Sequence, residues 1–182
     1  MKCTIKSLVI FLASALLVSS CTQDKKESTD TMSPAAFNNQ IVHLQFELYQ
    51  QLTQFMESVS IYDTLSIQAT YNKLSETCTN SMASLDTLPK TADFHGYWQA
   101  ANKLFAFYNE TILKEYSNIV DLLLKPTELI TEEQLAHIDS VSQNMQIKEL
   151  QIRKQFKTAQ DSFADINKLE LQSLPEEQKD SI

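Results

Sequence analysis

The side chains best suited to hold a metal ion are three histidines, His43, His95 and His137. A zinc site needs at least three protein ligands, and a helix presents two of them at i,i+4 spacing. His43 has this spacing with Glu47 and His137 has it with Glu133, but each pair contains one histidine. The Glu-x-x-His motif that di-iron bundles use twice does not occur in the sequence. The sequence therefore predicts no metal site and no cofactor.

Nucleophilic and nucleotide chemistry are equally unsupported by sequence motifs. No Ser, Thr or Cys lies in a recognisable nucleophile motif, so we predict that the protein is not an enzyme. Gly96 is the single glycine in 182 residues, whereas phosphate-cradling loops need several. The formal net charge of −8 repels nucleic acid, and we expect no nucleic-acid partner.

The one covalent site that the sequence predicts is Cys21. Lys2 and Lys6 precede an apolar run of 11 residues, 8–18, which has the length of a signal-peptide core and is too short to span a bilayer. Residues 17–21, Leu-Val-Ser-Ser-Cys, resemble the lipobox of bacterial lipoproteins. The resemblance implies that residues 1–20 are cleaved as a signal peptide and that Cys21 is acylated. The alternative is an ordinary secretory signal with a chance cysteine.

Two or three acyl chains hold a protein firmly on a membrane, so the predicted lipid makes the membrane a partner. Thr22 follows the cysteine, and by resemblance to the enterobacterial sorting rule this favours the bacterial outer membrane. Residues 23–27 partly resemble the acidic export signal of surface lipoproteins in Bacteroidota, although two lysines interrupt the acids. Both the cell surface and the periplasmic face therefore stay open.

The remaining sequence predicts an all-α fold. Residues 22–33 are polar and indicate a tether after Cys21. Apolar side chains then recur every three or four residues in four segments, which are 34–60, 63–88, 92–125 and 131–170. The stripe of the third segment includes Ile119, and that of the fourth includes Phe156, Phe163 and Ile166. Short connections between them favour an antiparallel up-down-up-down four-helix bundle over residues 34–170, about 40–55 Å long. Residues 171–182 are expected to form a frayed acidic tail, and Cys78, on an apolar stripe, to be a buried free thiol.

Aromatic residues concentrate in the third helix, where Tyr97, Trp98 and Phe107 stand out. One interpretation is that this helix contacts neighbours on two sides. The other is that the three side chains form a patch that binds a partner protein, a peptide or a glycan. A further alternative is a bundle that binds a small ligand in an interior cavity, lined by the third-helix aromatics and Met145.

Glu149 interrupts the apolar stripe of the fourth helix between Met145 and Ile152. Either the helix curves, Leu150 covers the gap and Glu149 reaches solvent, or Glu149 is buried in an ion pair that fixes the helix register.

Four runs carry a resemblance to a family: 37–42 (Phe-Asn-Asn-Gln-Ile-Val), 103–108 (Lys-Leu-Phe-Ala-Phe-Tyr), 130–133 (Ile-Thr-Glu-Glu) and 159–163 (Ala-Gln-Asp-Ser-Phe). Over residues 35–166 the chain resembles uncharacterised all-helical surface lipoproteins of Bacteroidota and spirochaetes. The resemblance implies a similar bundle and an envelope location, and it brings no active site. The expected function is that of a membrane-anchored lipoprotein that binds or spaces an unknown protein partner without catalysis.

Overall fold

A computed structural model describes residues 32–171, which are helical apart from short connections. The helices are α1 (Pro34–Ser60), α2 (Thr64–Asp86), α3 (Ala92–Glu110), a π-helical segment (Thr111–Tyr116), α4 (Ser117–Leu123), a 3₁₀ turn (Thr127–Leu129) and α5 (Glu132–Asn167). The described part of the chain contains no β-strand, so the predicted all-helical fold is confirmed. The predicted signal peptide, Cys21, the tether up to residue 31 and the tail from residue 172 lie outside the described residues. No helix within 32–171 combines the length and the apolar character that crossing a membrane requires.

Local capping sets where the helices begin. The Ser33 hydroxyl accepts a hydrogen bond from the Ala36 amide at 3.2 Å, with Pro34 at the first helical position, which suits its fixed φ. At α5, the Thr131 hydroxyl accepts from the Gln134 amide at 3.2 Å, and the Gln134 side chain accepts from the Thr131 amide at 3.0 Å. These reciprocal bonds satisfy backbone amides that have no carbonyl partner within the helix. Both predicted helix starts are confirmed. Met32, just before α1, packs against the core.

Contacts between helices give their relative directions. The start of α1 meets the start of α3 and the end of α5, because the Phe37 ring lies 4.5 Å from that of Phe94 and 5.7 Å from that of Phe163. The end of α1 meets the start of α2 and the π-helical segment, because the Phe55 ring lies 6.1 Å from Tyr71 and 5.5 Å from Tyr116. The end of α1 thus lies beside the start of α2, and the start of α1 lies beside the end of α5; this is the order expected of antiparallel neighbours. We call the end of the bundle that holds Pro34 the near end and the opposite end the far end.

The core follows the predicted apolar stripes in α1, α2 and α3. Its fully buried side chains include Phe37, Ile41, Leu48, Ile67, Leu74, Cys78, Leu85, Leu104, Phe105 and Ile112. Cys78 is a free thiol, as predicted, and burial raises its pKa from 9.0 to about 12. In α5 the predicted stripe is only partly buried: Phe156 and Phe163 are in the core, whereas Ile166 is 80% exposed. The prediction for Ile166 is therefore wrong.

The π-helical segment was not predicted, and it changes which side chains enter the core. A π turn takes up one residue more than an α turn. Ile112 is buried at the start of the segment, and Val120 is buried after it, whereas the α-helical period predicted Ile119, which is half-buried. The hydroxyl of Tyr71 donates to the Ile112 carbonyl at 3.2 Å, which gives this backbone oxygen of the segment a partner.

Candidate interaction surface

The histidines lie apart from any metal-binding arrangement. His43 Nε2 lies 3.5 Å from Glu47 Oε1, and both side chains are about half exposed. His95 and His137 are exposed on other helices. Residues 32–171 contain no group of three or more His, Cys, Asp or Glu side chains with metal-binding geometry.

Tyr97 belongs to the core and not to a surface patch. Its side chain is 3% exposed, and its ring packs 5.6 Å from Phe156 and 5.0 Å from Phe163. The hydroxyl donates to Asn38 Oδ1 at 3.1 Å, and burial raises the pKa of Tyr97 above its ordinary value. The expectation that Tyr97 is accessible to a partner is therefore wrong. The reason is that α3 packs on both α1 and α5, so two of its faces are covered.

Trp98 and Phe107 are half-buried against the same core. The Trp98 ring nitrogen donates to the Leu85 carbonyl at 3.0 Å, and Lys90 Nζ lies 4.2 Å from the ring centroid. This carbonyl, in the last turn of α2, also accepts from the Leu88 amide at 3.2 Å, so Trp98 supplies a further donor to it. The Phe107 ring packs at 5.5 Å from that of Tyr108. These three predicted binding residues do not form one exposed patch, although partner binding by Trp98 or Phe107 stays a prediction.

Two grooves lie on the surface of the bundle. One, of about 380 Å³, lies between α1 and α2 and is lined by residues such as Leu44, Gln51 and Ser81. The other, of about 650 Å³, lies between α1 and the end of α5 and is lined by residues such as Phe46 and Leu169. Neither groove is lined by the aromatic residues of α3 or by Met145. The small-ligand alternative thus has no support from the two grooves.

A polar cluster lies inside the bundle around Glu149. The Tyr108 hydroxyl donates to Glu149 Oε1 at 2.5 Å, and Arg153 Nη1 lies 3.8 Å from the same oxygen. The hydroxyl oxygens of Tyr108 and Tyr49 are 3.4 Å apart, and Gln45 Nε2 donates to Tyr49 at 3.2 Å. The Glu149 side chain is only 13% exposed while Leu150 is exposed, so the favoured expectation of a solvent-exposed Glu149 beneath Leu150 is wrong.

The cluster joins α1, α3 and α5, and its central tyrosine, Tyr108, stays protonated. Burial, followed by the nearby Tyr49 and Glu149, raises the pKa of Tyr108 well above its ordinary value. Tyr108 therefore remains a hydrogen-bond donor to the carboxylate, a strong pairing in a poorly hydrated site. Because this bond forms only when Glu149 lies opposite Tyr108, the cluster favours one register of α5 against α3. The role that this arrangement supports is therefore structural.

Exposed apolar side chains concentrate at the far end of the bundle. Eight of the twelve large apolar side chains that are exposed among the described residues lie there: Met56, Ile61, Tyr62, Leu65, Leu113, Leu124, Leu129 and Leu135. We call these eight residues the far-end surface. Leu65 is 83% exposed and Ile61 is 72% exposed. Exposed apolar side chains gathered at one end of a bundle make that end a candidate interaction surface.

The connection between α1 and α2 positions part of the far-end surface. The α1–α2 connection, 61–63, holds Tyr62 at φ 55°, a left-handed conformation that is uncommon for a large side chain. Asp63 is the N-cap of α2. Its Oδ1 accepts a hydrogen bond from the Leu65 amide at 3.2 Å. Sequence reasoning missed this surface, although an Ile-Tyr pair in a three-residue helix connection was a readable signal, because such connections are normally polar.

Comparisons with known proteins give no relative from which a role can be transferred. No family model, no curated protein and no solved structure matches the chain. The resemblance to helical surface lipoproteins therefore stays an expectation, and the function is argued from the residues themselves.

Proposed function

We propose that the protein is a lipid-anchored, non-enzymatic binding module of the bacterial cell envelope, which presents its far-end surface to a partner protein. The observation that carries the proposal is the concentration of exposed apolar side chains at the far end. Chain connectivity supports it, because Cys21 is joined to the bundle through residue 34 at the near end. The chain thus enters the bundle at the end opposite the far-end surface.

The dimensions of α1 support a spacing role in the same module. α1 has 27 residues and is about 40 Å long at 1.5 Å per residue. The interior polar cluster and the aromatic core tie α1, α3 and α5 together along this length. A partner on the far-end surface is thereby held about 40 Å from the point where the chain enters the bundle.

The binding part of the proposal is tested by photo-crosslinking in intact cells of the native host. A photoreactive side chain replaces Leu65 at the far end, and a matched variant carries it at Ile166, which is 80% exposed but belongs to the other half of the bundle. We expect a discrete protein adduct from position 65 and none from position 166. Equal adducts at both positions, or none at either, would contradict a far-end binding surface.

The anchoring part is tested separately by metabolic labelling with a palmitate analogue. The variant Cys21→Ser is expected to lose the label and to leave the membrane fraction, whereas Cys78→Ala, which changes the buried thiol, keeps the label. Label retained in Cys21→Ser would reject lipidation at this residue. Protease digestion of intact cells, with a periplasmic protein as control, then distinguishes the outer surface from the periplasmic face.

A further inference from the structure

The groove of about 380 Å³ between α1 and α2 has polar walls. On the α1 side it is lined by Leu44, Glu47, Gln50 and Gln51, and on the α2 side by five polar residues within 73–84. Steps of three and four residues place each set on one face of its helix. We call this site the α1–α2 groove. It lies on the surface, apart from the interior cavity lined by aromatic residues that the sequence suggested.

Two polar side chains of the groove are buried and have no hydrogen-bond partner within residues 32–171. Gln51 is 9% exposed and Ser81 is 2% exposed. In the same part of the chain, the polar side-chain atoms that are closed off from solvent without a partner belong to Ser75 and Asn109. The polar atoms of Gln51 and Ser81 are therefore reached from the groove that both residues line. Because a buried amide or hydroxyl is destabilising without a hydrogen bond, both groups are available to a ligand.

Most side chains around the groove are neutral and can both donate and accept hydrogen bonds. The amides of Gln50, Gln51 and Asn80 each carry an NH₂ donor and a carbonyl acceptor, and the hydroxyls of Thr77 and Ser81 serve in both ways. A sugar hydroxyl also donates and accepts, and two neighbouring hydroxyls of one ring can bond to the two ends of one amide. The lining therefore has the hydrogen-bonding chemistry that suits a sugar.

The other lining residues argue against ligands of other classes. Glu47 and Lys73 give the lining one acid and one base, whereas a phosphate site needs a surplus of positive charge. A metal ion needs grouped His, Cys, Asp or Glu side chains, and residues 32–171 contain no such group. Leu44 is the one apolar residue among the described residues of the lining, and it is buried. The groove therefore offers no pocket for the side chains of a peptide or for a lipid chain.

The size and the walls of the groove restrict the ligand further. A volume of about 380 Å³ lies near the lower end of small-ligand sites, which span about 300–1,000 Å³. Both walls are regular helices, and the hydroxyl oxygens of Ser58 and Thr70, 2.8 Å apart, hold α2 at one level against α1. Polar groups on rigid helices keep their positions when a ligand arrives. One or two sugar rings suit these dimensions.

We propose that the α1–α2 groove binds a neutral sugar of one or two rings. Gln51 and Ser81 bond to its hydroxyls from the floor of the groove, and Thr77 and Asn80 bond to it from the α2 side. The inference goes beyond the proposed function, because no residue of the far-end surface lines this groove.

The test is a nuclear magnetic resonance titration of the ¹⁵N-labelled full chain that carries Cys21→Ser, so that no acyl chain is attached. The probes are glucose, galactose, mannose, N-acetylglucosamine, maltose and lactose. Glycerol at the same concentration of hydroxyl groups controls for non-specific effects of a polyol. We expect at least one sugar to shift the side-chain amide signals of Gln51 and Asn80 saturably, with a dissociation constant of about 1 mM or lower, while glycerol leaves them unchanged.

Variants with matched controls locate the binding. Gln51→Leu is expected to weaken it at least tenfold, whereas Gln54→Leu, an exposed position of α1 outside the groove, stays within twofold of the unmodified chain. Ser81→Ala is expected to weaken it at least threefold, with the exposed Ser140→Ala as its control. Asn80→Ala, at an exposed position, should also weaken it at least threefold and decides the question if Gln51→Leu unfolds.

Stability distinguishes a ligand-binding amide from a structural one. Because the Gln51 amide has no partner within residues 32–171, Gln51→Leu should keep or raise the free energy of unfolding in urea while it removes sugar binding. A loss of stability together with a loss of binding would show that Gln51 supports the fold, and would contradict its assignment as a ligand group.

Three other outcomes would overturn the inference. They are the absence of saturable shifts with all six sugars, equal shifts with glycerol, and equal losses of binding in the groove variants and their controls. None of these results bears on the far-end surface, because crosslinking from position 65 tests that surface separately.

Discussion

The two halves of α5 have similar apolar spacing but very different surroundings. In the second half, Phe156 and Phe163 are buried among aromatic rings of α1 and α3. In the first half, Ile138, Val141 and Met145 remain half-buried, and residues 132–147 carry three acids and no Lys or Arg. Glu149 and its partner Tyr108 lie near the point where the two environments meet. The comparison teaches that an amphipathic stripe specifies a helix, while neighbouring helices decide how much of that stripe stabilises the fold.

The largest loss of stability is expected when a buried aromatic side chain in the second half of α5 is truncated. Phe163→Ala removes a ring that packs on Phe37, Phe94 and Tyr97, and it should lower the free energy of unfolding by about 3–5 kcal/mol. Met145→Ala in the first half should lower it by less, about 1–2 kcal/mol, because that side chain is only partly buried. Urea denaturation of both variants measures the difference. Equal losses would break the comparison by showing that the first half is packed as firmly as the second.

Alkaline pH should destabilise the fold through two buried tyrosines of α3, Tyr97 and Tyr108. Burial raises the pKa of Tyr97 and of Tyr108, so the folded state favours their protonated forms. Their contribution to stability is complete below pH 10, the ordinary tyrosine value, and is lost as the pH rises toward the folded-state pKa values. We expect a loss of about 1.4 kcal/mol per tyrosine for each pH unit above 10.

Urea denaturation at pH 9 and pH 11 measures this loss, and Tyr97→Phe with Tyr108→Phe should give a shallower dependence on pH. A free energy of unfolding that does not change between these pH values would contradict the burial of the two hydroxyls.

The next largest loss of stability is expected when the hydrogen bond between Tyr108 and Glu149 is removed. Tyr108→Phe removes the donor and leaves a poorly hydrated carboxylate without its closest partner, at a cost of about 1.5–3 kcal/mol. Tyr116→Phe is the matched control, because Tyr116 is half-buried in the same region but makes no hydrogen bond to Glu149. Its effect should stay within about 0.5 kcal/mol. If Tyr108→Phe is as mild as the control, the polar cluster does not stabilise the packing of α5 on α3.

The smallest effect on the free energy of unfolding is expected from a substitution in α3, which serves as a reference for the other variants. Gly96 is exposed within α3, and a Cβ added there would meet nothing within 4 Å. Gly96→Ala should raise the free energy of unfolding by about 0.5–1 kcal/mol, because alanine has less backbone freedom to lose and a higher helix propensity. The same denaturation measurement applies. A loss of stability would show that Gly96 meets a constraint beyond helix propensity.

Helix starts and helix stripes were predictable because they depend on neighbours in the sequence. Ser33 with Pro34 and Thr131 with Gln134 form their caps from residues three positions apart or fewer, so the local sequence suffices. The same holds for the buried stripe of α1. The position of Val120 was not predictable, since a π turn that inserts one residue is decided by packing and leaves the apolar period of the sequence ambiguous.

The sequence by itself determined that this chain is all-helical, where its helices begin, and that Cys78 lies on a buried face. Those properties follow from local hydrogen bonds and from a period of 3.6 residues. Only the tertiary structure decided that Tyr97 is covered, that Glu149 meets Tyr108, and that Ile166 and Leu135 remain in water. Each of these depends on which side chain of another helix reaches the same level of the bundle. The period of a helix gives the face of a side chain, but burial also requires a neighbouring helix opposite that face.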